Sequence, residues 1–186
     1  RSLRVLTEPE WLVESDHPEL VAQAESIVAG STDSWQAARA IYDWVYSSVE
    51  KEIMFSVPSA LETLRNLRGD CNEHTTLFVG LARAAGIPAQ IQLGLVYSRD
   101  YHGFYYHAWP AVYVGEWVRM DPTLGQPVAD ATHIKFVEGG IGRWPEMVRL
   151  IGTIHIEVIE VEYERTTGRD TDGWTDETVR HDNRRR

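Results

Sequence analysis

The sequence is nearly devoid of cysteine: among its 186 residues only Cys71 carries a thiol. A single cysteine cannot close an internal disulfide, so nothing here requires an oxidising compartment. No apolar run approaches the roughly 20 residues of a membrane helix. Positive charge is also in deficit, with 18 Lys and Arg against 28 Asp and Glu and a net charge of −10. This excludes the basic footprint of a nucleic-acid binder. The one basic run, Arg184, Arg185 and Arg186, reads as a solvated tail. No signal peptide precedes Arg1, and an opening Arg rather than Met reads as a processed chain or a piece of a larger protein, with no compartment specified. What is present is ordinary globular composition, 43% hydrophobic and 25% charged, in a chain long enough to bury a core.

The pattern predicts one domain over residues 1–164 and a polar tail over 165–186. Helices are expected from Pro18 to Ala29 behind an Asp16–Glu19 capping box, from Trp35 to about Lys51, from Ala60 to Leu67, and from Cys71 to Ala85. The period then changes from 3.6 to 2. Strands are expected at Ala89–Tyr97, Tyr105–Val114 and Trp117–Asp121, the last two joined by a Gly115-Glu116 turn. Thr123–Pro145 reads as loop, Met147–Ile151 as a short helix, and Ile154–Tyr163 as a final strand. Helices followed by an antiparallel sheet define an α+β domain.

Cys71 opens the most strongly helical segment. Unpaired N–H groups and the dipole at a helix start favour a thiolate, which is expected to lower the thiol pKa. A thiolate nucleophile needs an imidazole. His74 lies one turn along the same helix, and His102 lies in a turn. His107 lies within a strand, which fixes its direction as a general base requires. Asp121 is the candidate to orient that base. With Val114 opposite Trp117, however, Asp121 falls opposite Pro110, so their meeting requires a register break near Pro110 or a contact across a neighbouring strand.

Gly69-Asp70-Cys71-Asn72-Glu73-His74, then Leu77-Phe78-Val79 and Leu81 to Ala89, resemble the core motif of the transglutaminase-like superfamily. His107-Ala108-Trp109, Tyr113 to Trp117 and Asp121-Pro122-Thr123 resemble its His and Asp motifs, in the same order. The resemblance spans roughly Ala37 to Thr123. It implies a papain-like fold, a Cys-bearing helix on an antiparallel sheet, with a catalytic triad of Cys71, His107 and Asp121. Pro110 departs from the pattern and is expected to disturb the strand carrying His107. Nothing resembles the calcium sites or flanking β-domains of the large animal enzymes, so no metal or other cofactor is expected.

The oxyanion hole needs preorganised donors. The backbone N–H of Cys71 is one. Asn66, Asn72 or a Trp indole such as Trp109 could supply another. Glu73 and His74 either shape the site or form a hydrogen-bonded pair supporting the helix start. A zinc site built on Cys71 and His74 is set aside, because structural zinc sites bring several closely spaced cysteines. Tyr97, Tyr101, Phe104, Tyr105, Tyr106 and Trp109 are either alternate core and surface residues or the wall of a cleft. The expected chemistry is acyl transfer from a peptide or glutamine amide through a Cys71 thioester. Hydrolysis, as in a cysteine peptidase or amidase, is preferred by analogy. The alternatives are protein-glutamine transamidation, an inactive binding domain of the same fold, and a metal-dependent hydrolase.

Overall fold

Four helices precede the sheet, in the order that the apolar periodicity dictates. They are α1 (Pro18–Val28), α2 (Ser34–Ser48), α3 (Ala60–Asn66) and α4 (Cys71–Ala84). The computed structural model describes residues 2–53, 59–150 and 153–159. Pro18 sits at the start of α1, where its missing N–H has no partner to lose. The N-cap of α1 is His17, whose ring accepts from the Glu19 N–H, one residue later than the expected Asp16 cap. Asp33 and Ser59 cap α2 and α3 through their side-chain oxygens.

Helix α4 is buried almost throughout, because the other helices cover one side and the sheet covers the other. Leu77, Phe78 and Leu81 are fully buried beside Leu20, Ile41 and Val45. Each such side chain contributes on the order of 2 kcal/mol by burial. A two-residue parallel pair anchors the approach to α4: β1 (Glu50–Lys51) lies against β2 (Arg68–Gly69).

The main sheet has the order β5-β4-β3-β6 and is antiparallel. Its strands are β3 (Ala89–Ser98), β4 (Gly103–Tyr113), β5 (Trp117–Arg119) and β6 (His133–Glu138). The β4–β5 turn differs from expectation. Tyr113, not Val114, pairs with Trp117, so Val114, Gly115 and Glu116 form a three-residue turn. A one-residue shift of register exchanges the two faces of a strand. Continued one step past the paired residues, it brings Asp121 opposite Trp109 and onto the face that carries His107. The anticipated break at Pro110 is therefore absent. Pro110 pairs with Ile91 in an uninterrupted β3–β4 register, and its carbonyl accepts from the Met120 N–H at 3.0 Å. Lacking an N–H, it cannot return that bond, and β5 ends there.

Strand β6 falls in the stretch read as loop. A register shift opposite Leu93/Gly94 leaves Phe136 as an extra residue. A short helix α5 spans Trp144–Val148, earlier than the expected Met147–Ile151. Of the expected strand Ile154–Tyr163, residues 154–159 are in neither helix nor strand and 160–163 lie outside the described residues. The tail at 165–186 also lies outside them. Residues through Ile154 form one compact unit. Among the described residues, no helix is long and apolar enough to cross a membrane.

Candidate active site

Cys71 takes the first position of α4 because Asp70 caps the helix there. The Asp70 carboxylate accepts from the Asn72 N–H at 2.8 Å, and the Glu73 carboxylate accepts from the Asp70 N–H at 3.0 Å. This is a reciprocal capping box. It requires glycine at position 69, where an added Cβ would lie 2.2 Å from the Glu73 Cβ.

Strand β5 is short, so part of the outer edge of β4 is left to α4. The Thr75 hydroxyl donates to the Ala108 carbonyl at 3.0 Å in a buried bond. The sulfur of Cys71 lies against the backbone of the same residue, which favours its thiolate. The Tyr106 hydroxyl donates to Asn72 Oδ1 at 2.9 Å. Three contacts thus fix the Cys71-bearing end of α4 beside Tyr106, His107 and Ala108.

His107 and Asp121 meet directly, with Nε2 2.7 Å from Oδ2. Both are buried. The other carboxylate oxygen accepts from the backbone N–H groups of Thr123 and Leu124 at 2.8 and 2.9 Å. Burial alone would raise the Asp121 pKa. The hydrogen bonds from His107 and His133 and the Leu124 N–H outweigh it and hold the carboxyl well below its ordinary range.

The thiol does not follow the expected direction. Burial pushes Cys71 up to about 12, Asp70 adds to the shift, and the Ala108 backbone opposes it. The helix start is already occupied by two carboxylates, which leaves less positive potential for sulfur. Burial, with Asp70 alongside, likewise raises Glu73 to about 7. His74 is wholly buried, with Nδ1 2.7 Å from the Asp70 carbonyl oxygen, and burial lowers its pKa. Glu73 and His74 therefore brace the helix start.

The remaining candidates divide. Asn72 belongs to the cluster. Asn66 is an exposed residue at the end of α3, and none of these hydrogen bonds reaches it. Trp109 is fully buried and stacks on His107 at 6.0 Å between centroids. Its indole N–H donates to Gln92 Oε1 at 2.9 Å, so it is engaged there and walls His107 instead of offering a free donor. Tyr101 and Tyr105 pack edge to face and are largely exposed.

Two residues at the site escaped the sequence reading, Gln92 and His133. Gln92 alternates with apolar neighbours and looks like an outward-facing strand residue. His133 lies within His-Ile-Lys-Phe-Val-Glu, whose β-branched and aromatic residues between Asp130 and Gly139 were the available strand signal. Its Nε2 is 3.0 Å from Asp121 Oδ2, and its ring lies edge-on to Trp109 at 5.0 Å. The donor atoms of His107, Asp121 and His133 lie within 4.8 Å of one another, a set that suits transition metals. Here both imidazoles close on one carboxylate oxygen, as hydrogen-bond donors do.

A helix carrying a thiol at its tip, set against an antiparallel sheet carrying imidazole and carboxylate, defines an α+β domain of the papain-like class. The family profile of the transglutaminase-like superfamily matches residues 21–122, and the chain belongs to that superfamily. Among solved structures, it is similar to one described as a "putative cysteine protease" from Cytophaga hutchinsonii, with a TM-score of 0.65 and 25% identity over 75% of this chain and 47% of that one. It is also similar to the periplasmic domain of TgpA from Pseudomonas aeruginosa, with a TM-score of 0.47 and 19% identity over 57% of this chain and 42% of that one. The chain spans less than half the length of either structure. No curated protein matches it.

Proposed function

We propose that this domain is a thiol acyl-transfer enzyme that hydrolyses peptide or side-chain amides through a thioester on Cys71. One observation carries the reading: His107 Nε2 is held by Asp121 at 2.7 Å while the Cys71 sulfur lies against the adjacent Ala108 backbone. With Nε2 committed to the carboxylate, Nδ1 is the ring nitrogen left to take the thiol proton. A thiol pushed up to about 12 ionises at neutral pH only by handing its proton to such a neighbour.

The sulfur then attacks the amide carbon, and backbone N–H groups at the helix start, that of Cys71 first, hold the oxyanion. The C–N bond breaks, the proton on His107 goes to the leaving amine, and a thioester remains. Water, deprotonated by His107, releases the acid and restores the thiol. An amine in place of water would give transamidation from the same intermediate. Hydrolysis is favoured by the likeness to the Cytophaga protein described as a "putative cysteine protease". The lengths of the matched structures support action as one domain of a larger protein.

The test is intact-mass analysis of the chain with an activated reporter ester, with and without added amine. An acyl adduct on Cys71, absent from Cys71→Ala and released as free acid in both conditions, is expected. Recovery of an amine adduct would reassign the enzyme as a transamidase, and no adduct with wild-type chain would sink the proposal.

A further inference from the structure

We infer that His133 is a second positioning histidine of this site, aiming the Asp121 carboxylate that in turn aims His107. The inference rests on the Cys71–His107–Asp121 reading above and extends it. Asp121 is fully buried and receives four hydrogen bonds: Thr123 and Leu124 N–H on Oδ1, His107 and His133 on Oδ2. A carboxylate with every lone-pair direction occupied cannot swing away when its histidine partner changes protonation. His133 is located in turn from its other side, with Nδ1 3.3 Å from Asp130 Oδ1.

The fold contains a dedicated device for bringing His133 there. Leu93 pairs with Val137, but Gly94 pairs with Lys135, so Phe136 is an inserted residue. Without that insertion, the register set by Leu93 would place His133 opposite Tyr97, with its side chain on the face away from His107. With it, His133 pairs with Val96, which pairs with Tyr105 on the His107 face. The same point of β3 is Gly94, where an added Cβ would lie 2.0 Å from the Ile134 carbonyl oxygen and 2.8 Å from the Trp109 ring. The absent side chain lets β6 and Trp109 close on His133.

The test exploits amide geometry. Glutamine places its N–H close to where Nε2 stands, and asparagine close to Nδ1. His133→Gln therefore keeps the donor to Asp121, whereas His133→Asn keeps only the side facing Asp130. The readout is the rate of Cys71 alkylation by iodoacetamide at neutral pH in the full chain, beside His107→Ala. The expected pattern is wild type well above H107A, H133Q within threefold of wild type, and H133N slower by about tenfold or more, as for partners that orient metal ligands. Equal rates in H133Q and H133N would overturn the inference while leaving the Cys71–His107 pair standing. Wild type no faster than H107A would sink that pair and this inference with it. A second measurement needs no variant. In ¹⁵N-histidine-labelled protein, His133 should show a protonated Nε2 with a downfield, slowly exchanging proton. An unprotonated His133 Nε2 in the folded chain would overturn the inference.

Discussion

Replacing Gly94 with alanine tests the packing that assembles the site. The new Cβ would stand 2.0 Å from the Ile134 carbonyl oxygen and 2.8 Å from the Trp109 ring. Ordinary contact requires about 3.5 Å, so β6 would have to retreat by about 1.5 Å at its pairing with β3. A backbone carbonyl cannot rotate aside as a flexible side chain can. Overpacking typically costs about 1–3 kcal/mol, and a backbone obstacle belongs at the upper end. Alanine recovers about 0.4–1 kcal/mol by restricting the unfolded chain. The net expectation is a loss of about 2 kcal/mol, or a melting temperature lower by roughly 4–8 °C in a chain of this size. Gly30→Ala is the control, because an added Cβ there meets nothing within 4 Å; it should be neutral or slightly stabilising. Thermal melting followed by circular dichroism decides the matter. A G94A melting temperature within about 1 °C of wild type would refute the claim that β3 and β6 close only over glycine.

Thr75→Val removes the buried donor to the Ala108 carbonyl and should destabilise the chain by about 1–3 kcal/mol in urea titration. It should also slow Cys71 alkylation, since that bond fixes α4 against β4. Asp70→Asn keeps a good N-cap but deletes a charge that pushes the thiol up. Its thiol should titrate below that of wild type, read as the pH midpoint of alkylation, with melting nearly unchanged. Asp121→Asn should cost about 2 kcal/mol at neutral pH, the scale of buried hydrogen bonds to a charged group. Because the Asp121 pKa is depressed on folding, its contribution is present above the unfolded value of about 3.9 and is lost as pH falls below it. Melting temperature against pH should therefore fall less steeply through that acid range in D121N than in wild type.

The helices were legible because each carries its own period and cap, and β3 and β4 because their alternation is long. Cys71, His107 and Asp121 stood out through residue type, helix start and motif. The partnership of His107 with Asp121 was harder, since it turns on whether Val114 or Tyr113 faces Trp117. No local pattern decides that one-residue difference, yet it exchanges the faces of the returning strand. Strand β6 was missed for a related reason. The inserted Phe136 breaks its alternation, so its two buried residues, His133 and Val137, stand four apart in sequence yet on opposite faces of the sheet. Gln92 looked outward because a buried glutamine is legible only once Trp109 is known to donate to it.

The state of the thiol depends on which features of the helix start act on it. Position alone argues for a thiolate, since the first turn offers N–H groups and positive potential. Two of the donors there, the Asp70 and Asn72 N–H groups, are already partnered, however, because the Glu73 and Asp70 carboxylates take them in a capping box. Burial is the main cause that raises the thiol, and the charges of Asp70, Asp121 and Glu73 add to it, so the thiol is pushed up to about 12. The charges that secure the helix start thus oppose ionisation of the thiol it carries. A neutral resting thiol follows, and in the proposed mechanism charge is separated only when His107 takes its proton. In that mechanism Asp121 supports the transfer, because a fully buried carboxylate held ionised by four donors lies against the imidazole that would become charged. The proposed mechanism therefore draws its reactivity from the sheet, through His107, Asp121 and His133, more than from the helix dipole, and it expects the residues that aim Asp121 to matter to Cys71 as much as its own neighbours do.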